Sequence, residues 1–191
     1  AYFLVQVPNW AGVTQPYWLE LPREAATYDW SEAGSEKSLA FASPILTATV
    51  VLEITGREVS VTREVEYRQL DRIRGEVRRR IDVVPKVSVE PATDLMVVPI
   101  STSSEPIELL LTVRNNSADS ASGTAQFSLP PRWALEPSFI EFSLDPAPAT
   151  NTFSFQVKMP DSLQAGEYQL SASALIDGTV YRQSMQEIAY P

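Results

Sequence analysis

The residue types with most chemical character come early: Trp10, Tyr17, Trp18, Tyr28 and Trp30 fall within the stretch NWAGVTQPYWLELPREAATYDW, residues 9–30, which Pro16 and Pro22 interrupt. Rings on irregular backbone can stack on the apolar faces of sugars, and aromatic anchors also dominate protein interfaces. The leading reading of the same five rings is as plugs of a sandwich core or as packing against a neighbouring domain, with a carbohydrate platform as the rival. A second group is cationic. Arg68, Arg72, Arg74, Arg78, Arg79 and Arg80 cluster within the window 63–86, which carries +3 while the rest of the chain carries −12. Interleaved acids there point to Arg/Glu cross-strand pairs on a solvated face; an anion- or partner-binding patch is the rival reading.

Other chemistries lack their residues. The 191-residue chain has no histidine and no cysteine, so the commonest general base, the commonest zinc ligands and thiol nucleophiles are all missing. Neither GxxxxGK[ST] nor GxGxxG occurs. No two of the 24 acids stand out as a glycosidase pair. Calcium could use the turn 115–119 or Asp177, although neither has the spaced carboxylates of a defined loop. Asn115-Asn116-Ser117 matches the N-glycosylation triplet, which means glycosylation only if the source is a eukaryotic secreted protein. No metal site, no cofactor and no catalytic residue is expected. The net charge of −9 argues against a nucleic-acid partner, and no apolar stretch is long enough to span a membrane as a helix.

These residues must be positioned by strands. The run 45–67, ILTATVVLEITGREVSVTREVEY, alternates strictly. Leu46, Ala48, Val50, Leu52 and Ile54 share one face, Thr47, Thr49, Glu53 and Thr55 the other; Val59, Val61, Val65 and Tyr67 repeat the pattern after Thr55-Gly56. That is the signature of a half-buried hairpin. Arg63 alone breaks it, a charge on the apolar face, as a bulge or an edge device would be. The run 2–7 reads as an edge strand starting as though in mid-strand, which suggests a segment of a longer protein. Ile73 and Val77 are core candidates, and Gly75 a turn or bulge. Pro85 reads as a stiff hinge.

Seven further runs follow, at 95–98, 107–113, 124–129, 139–144, 152–157, 166–175 and 179–188, with Asn115 to Asp119 and Asp177-Gly178 as turns. Trp133 is read toward the core. Tyr168, just after Gly166, fits either a tyrosine corner or plain core packing. The fold class expected is all-β: two tandem β-sandwich modules, residues 1–86 and 87–191, the second immunoglobulin- or fibronectin-III-like.

The segments PYWLELPRE (16–24), SPILTATVVLEITGREVSVTREVEYR (43–68) and DRIRGEVRRRIDVVPKVSVEP (71–91) resemble the region beyond the catalytic domain in long bacterial members of the PIG-L/LmbE-like deacetylase family. Residues 87–191, with VRNNS, GTAQFSLPPRWALEP and GEYQLSASALIDGTVYRQSMQEIAYP, are similar to the NPCBM-associated immunoglobulin-like domain found beside sugar-active enzymes such as α-galactosidases. The resemblance implies a secreted, periplasmic or envelope zinc-dependent hydrolase of N-acetylated sugars. Its metal-binding His motif has no counterpart here, so this chain is expected to be the non-catalytic accessory part. The catalytic domain of the same polypeptide and a glycan are the expected partners. A stand-alone carbohydrate-binding module and an adhesive, protein-binding spacer are the alternatives.

Overall fold

A computed structural model describes residues 3–8, 11–21, 23–37, 39–99 and 105–186. The chain is all-β and divides between Val83 and Val84 into two compact units.

In the first unit, strands β1 (Thr47–Ile54) and β2 (Arg57–Glu64) form an antiparallel hairpin, as do β3 (Glu66–Asp71) and β4 (Gly75–Arg80). Thr55 and Gly56 both take positive φ, 53° and 73°, the two-residue turn whose twist matches that of the flanking strands. The second hairpin is closed by Asp71, whose Oδ1 accepts from the backbone N–H groups of Ile73 and Arg74 at 2.7 and 2.8 Å, so Gly75 follows a turn and does not bulge a continuous strand. The alternation of 45–67 is present, but the burial inferred from it is not. Val50, Leu52 and Ile54 are 53%, 46% and 53% exposed, because alternation assigns residues to a face without supplying a cover. Ile73 sits in the turn, 96% exposed, and is no core residue. Residues 3–7 form no strand and are exposed.

The second unit is a sandwich of two four-stranded antiparallel sheets. One has the order β5 (Val87–Pro91), β6 (Ile107–Asn115), β10 (Ala149–Lys158), β8 (Ala134–Glu136); the other runs β12 (Thr179–Tyr181), β11 (Ser171–Ile176), β7 (Ala121–Ser128), β9 (Ile140–Leu144). The adjacency of first, second and late strands in one sheet, with the remaining hairpin strands in the other, is the immunoglobulin-type arrangement. Inward positions of both sheets fill the core: Val89, Leu111, Val113 and Phe155 from the first, Ala125, Phe127, Ala174 and Ile176 from the second. Phe127 meets Phe155 edge to face at 5.4 Å across the interior. Each of the Val, Leu, Ile and Phe side chains contributes roughly 1.5–3 kcal/mol by leaving water. The unit opens with β5, since residues 95–98 take no strand pairing. Strand β11 begins at Ser171, later than the glycine-led run at 166, and residues 182–186 leave β12 without continuing it. Pro85 is buried and its carbonyl accepts from Asn116 Nδ2 at 3.0 Å, which makes it part of this unit's packing.

Asn115 is fully buried at the end of β6. Its Nδ2 donates to the carbonyls of Asp119 and Asp145 at 2.7 and 2.8 Å, and its Oδ1 accepts from the Ser117 N–H at 2.9 Å. The glycosylation triplet therefore has its acceptor nitrogen sealed in the fold.

Candidate functional site

Tyr17 follows Pro16 in a one-turn 3-10 segment, Tyr17–Leu19. It is only 6% exposed, and its hydroxyl donates to the Leu39 carbonyl at 3.2 Å. Trp18 meets it edge-on at 5.0 Å and Trp30 at 6.1 Å, with interplanar angles of 85° and 78°. Tyr17 is thus the interior member of a small aromatic cluster and presents no face to a ligand. Trp30 and Tyr28 are each about two-fifths exposed and Trp18 is half-buried. Trp10 lies outside the described residues. Edge-to-face geometry stabilises the cluster itself, and of its three rings it leaves Trp30 the most open for stacking.

Three arginines of the Arg-rich hairpin, Arg68, Arg78 and Arg80, are held by glutamates. Arg68 and Arg78 stand opposite each other in the β3–β4 register, and Glu76 lies between them, 3.6 Å from the first and 2.6 Å from the second. Glu66 approaches Arg78 at 3.7 Å. Arg80 binds Glu64 at 2.7 Å, donates to the Ala42 carbonyl at 2.8 Å, and lies over the Phe41 ring. Arg72 and Arg74 occupy the turn, while Arg79 faces the other side of β4 with Tyr67 opposite it. The Arg/Glu pairing expected of a solvated face is thus present at Arg68, Arg78 and Arg80, with two of the arginines, Arg68 and Arg78, directly opposite each other and sharing Glu76.

Four carboxyls of this unit are held below their ordinary values. For Asp29 the principal cause is the Ser31 backbone N–H, for Glu36 that of Ser43, for Asp71 those of Arg74 and Ile73, and for Glu76 the Arg78 guanidinium. A depressed folded value means a contribution present above the unfolded value and lost as pH falls through the folded one. The loop 29–43 and the turn 71–75 are therefore expected to loosen only below the ordinary carboxylate range of 3.8 for Asp and 4.5 for Glu. An NMR titration of these carboxyls, read together with the Ser31, Ser43, Ile73 and Arg74 amides, checks this. Ordinary midpoints would mean that the caps do not form in solution.

The second unit contains a cleft that sequence spacing did not disclose. Trp133 and Tyr168, far apart in the chain, meet at 5.4 Å with rings tilted by 48°. They border a cavity of about 680 Å³ floored by Ile107, Leu109, Val157 and Met159. A second hollow of about 610 Å³, which shares Leu95, Leu109 and Tyr168 with the first, carries the acids Asp94, Glu108 and Glu167. The Tyr168 hydroxyl donates to the Gln164 carbonyl at 3.0 Å, the upstream backbone bond of a tyrosine corner. Trp133 thus lines the cleft and does not enter the closed core. Only the Gly166-Tyr168 juxtaposition hinted at this end of the sandwich.

Among the described residues no three His, Cys, Asp or Glu side chains converge as a metal site requires, and no helix is long and apolar enough to cross a membrane. Compared with models of known protein families and with curated proteins, the chain matches none.

Proposed function

We propose that this chain is the non-catalytic accessory β-region of a larger secreted or envelope deacetylase of N-acetylated sugars, and that its first unit docks against the catalytic domain. The observation that carries the docking role is the β1–β2 hairpin, whose Val50, Leu52 and Ile54 lie open to water on one face. Soluble monomers rarely leave such contiguous apolar surface uncovered, and where they do it marks an interaction site. The resemblance of residues 16–91 to the tail of PIG-L/LmbE-like enzymes supplies the identity of the partner domain. The lack of His and Cys in the sequence agrees with chemistry carried elsewhere. Intact mass of the native protein, recovered from its source cells with an antibody against this chain, is expected far above 21.2 kDa. A native mass of 21.2 kDa, or hydrolysis of an N-acetylglucosamine amide by the purified chain, would sink the reading.

Glycan contact is a second role, favoured by the exposure of Trp30 beside the buried Tyr17. Oligosaccharide should then quench tryptophan fluorescence in the intact chain but not in Trp30→Ala. Flat titrations across several glycans count against it.

A further inference from the structure

Arg63 gives the docking face a chemical character. The β1–β2 register is unbroken from Thr47↔Glu64 to Ile54↔Arg57, so there is no bulge to turn Arg63 away, and alternation along β2 places Arg57 and Arg63 on the face of Val50, Leu52, Ile54 and Val59. The two cations bracket the apolar surface, six residues apart on one strand and hence about 20 Å from each other. Both are exposed. Arg63 makes only a 3.5 Å bond to the carbonyl of neighbouring Thr62, and neither makes an ion pair among the described residues. In the same unit Arg68, Arg78 and Arg80 all hold glutamates. The contrast is what matters, because a cation covered by purely apolar surface loses its hydration with nothing in return.

Building on the accessory reading, we infer that this face seats a protein surface of matching chemistry: an apolar strip flanked by carboxylates about 20 Å apart, set to meet Arg57 and Arg63. A second copy of the same face does not fit. Glu53, Glu58 and Glu64 all point to the opposite side of the hairpin by the same alternation, so two copies face to face would bring arginine to arginine. The occupant is therefore a different, acid-rimmed surface, which the reading places on the catalytic domain of the same polypeptide.

Hydrogen exchange by mass spectrometry tests this on the native protein purified from source cells, with the recombinant 191-residue chain as reference. Peptides covering 47–64 are expected to exchange about ten-fold more slowly in the native, heavier species. Arg63→Glu, introduced at the chromosomal locus, should return them to the rate of the isolated chain, and Arg63→Lys should not. Being exposed on a hairpin, residue 63 can be varied without threatening the fold, and unchanged exchange of β3–β4 peptides confirms that for each variant. A heavier native species whose 47–64 peptides exchange as fast as in the isolated chain overturns the docking face while leaving the accessory reading standing. Protection that survives Arg63→Glu overturns the carboxylate pairing. A native mass of 21.2 kDa overturns the accessory reading and this inference with it.

Discussion

Gly123→Ala is expected to lower the unfolding free energy of the second unit by about 3 kcal/mol, at the upper end of what overpacking costs. Gly123 sits in β7 opposite Phe142 of β9. A Cβ there would lie 2.2 Å from the Leu175 carbonyl oxygen and 2.9 Å from Ile176 Cγ1, both in β11. The oxygen cannot step aside cheaply, since Leu175 is paired with Thr124 on one side and Val180 on the other. Relief would require β7 and β11 to separate, opening the ladder that holds Ala125 and Ala174 in the core. Urea unfolding followed by near-ultraviolet circular dichroism measures the loss. A change below about 0.5 kcal/mol, the range of a neutral surface substitution, would show that the two strands do not approach this closely.

Asn115→Asp is expected to cost about as much or more, roughly 3–5 kcal/mol, because it buries a charge facing acceptors. The amide nitrogen that now bonds the carbonyls of Asp119 and Asp145 becomes a carboxylate oxygen aimed at both. One of those carbonyls lies four residues away and the other thirty, so a single side chain ties the 115–119 turn to the loop after β9. Asn115→Ala should cost less, about 2–3 kcal/mol, since it orphans the two carbonyls without adding a charge. Equal urea midpoints for Asn115→Asp and the parent chain would remove the side chain from this role. Against a total stability of about 5–15 kcal/mol, either large loss leaves a marginal domain.

These two positions also show where local information ends. The hairpin at Thr55-Gly56 was legible because period-2 alternation and a turn requiring positive φ are properties of adjacent residues. The Asp177-Gly178 turn between β11 and β12 was legible for the same reason. Asn115, by contrast, reads in sequence as one polar residue in a turn, and nothing nearby announces its bond to Asp145. Gly123 lies just before the run 124–129 that reads as a strand, and nothing local marks it; its necessity comes from a backbone that arrives from residue 175. The run 95–98 has the apolar character of a strand, yet it gained no pairing partner and instead walls the cleft beside Trp133 and Tyr168.

The candidate surfaces divide in the same way. Ring density in 9–30 was visible, but the burial of Tyr17 depends on Leu39 and Trp30 closing around it. The Arg-rich window was visible, but the pairing of Arg68, Arg78 and Arg80 with Glu76, Glu66 and Glu64 depends on cross-strand and cross-hairpin register.

By itself, then, the sequence determined that the protein is built of antiparallel strands, where its tightest turns fall, and which side chains share a face, since each follows from bond rotation and side-chain alternation over a few residues. Tertiary structure alone decided what covers each face. Phe155 and Leu111 were sealed between two sheets, while Val50, Leu52 and Ile54, no less apolar in their pattern, stayed in water with two arginines beside them. Burial is a relation between surfaces that meet from distant parts of a chain, or from another chain, and strand periodicity carries no record of the second surface.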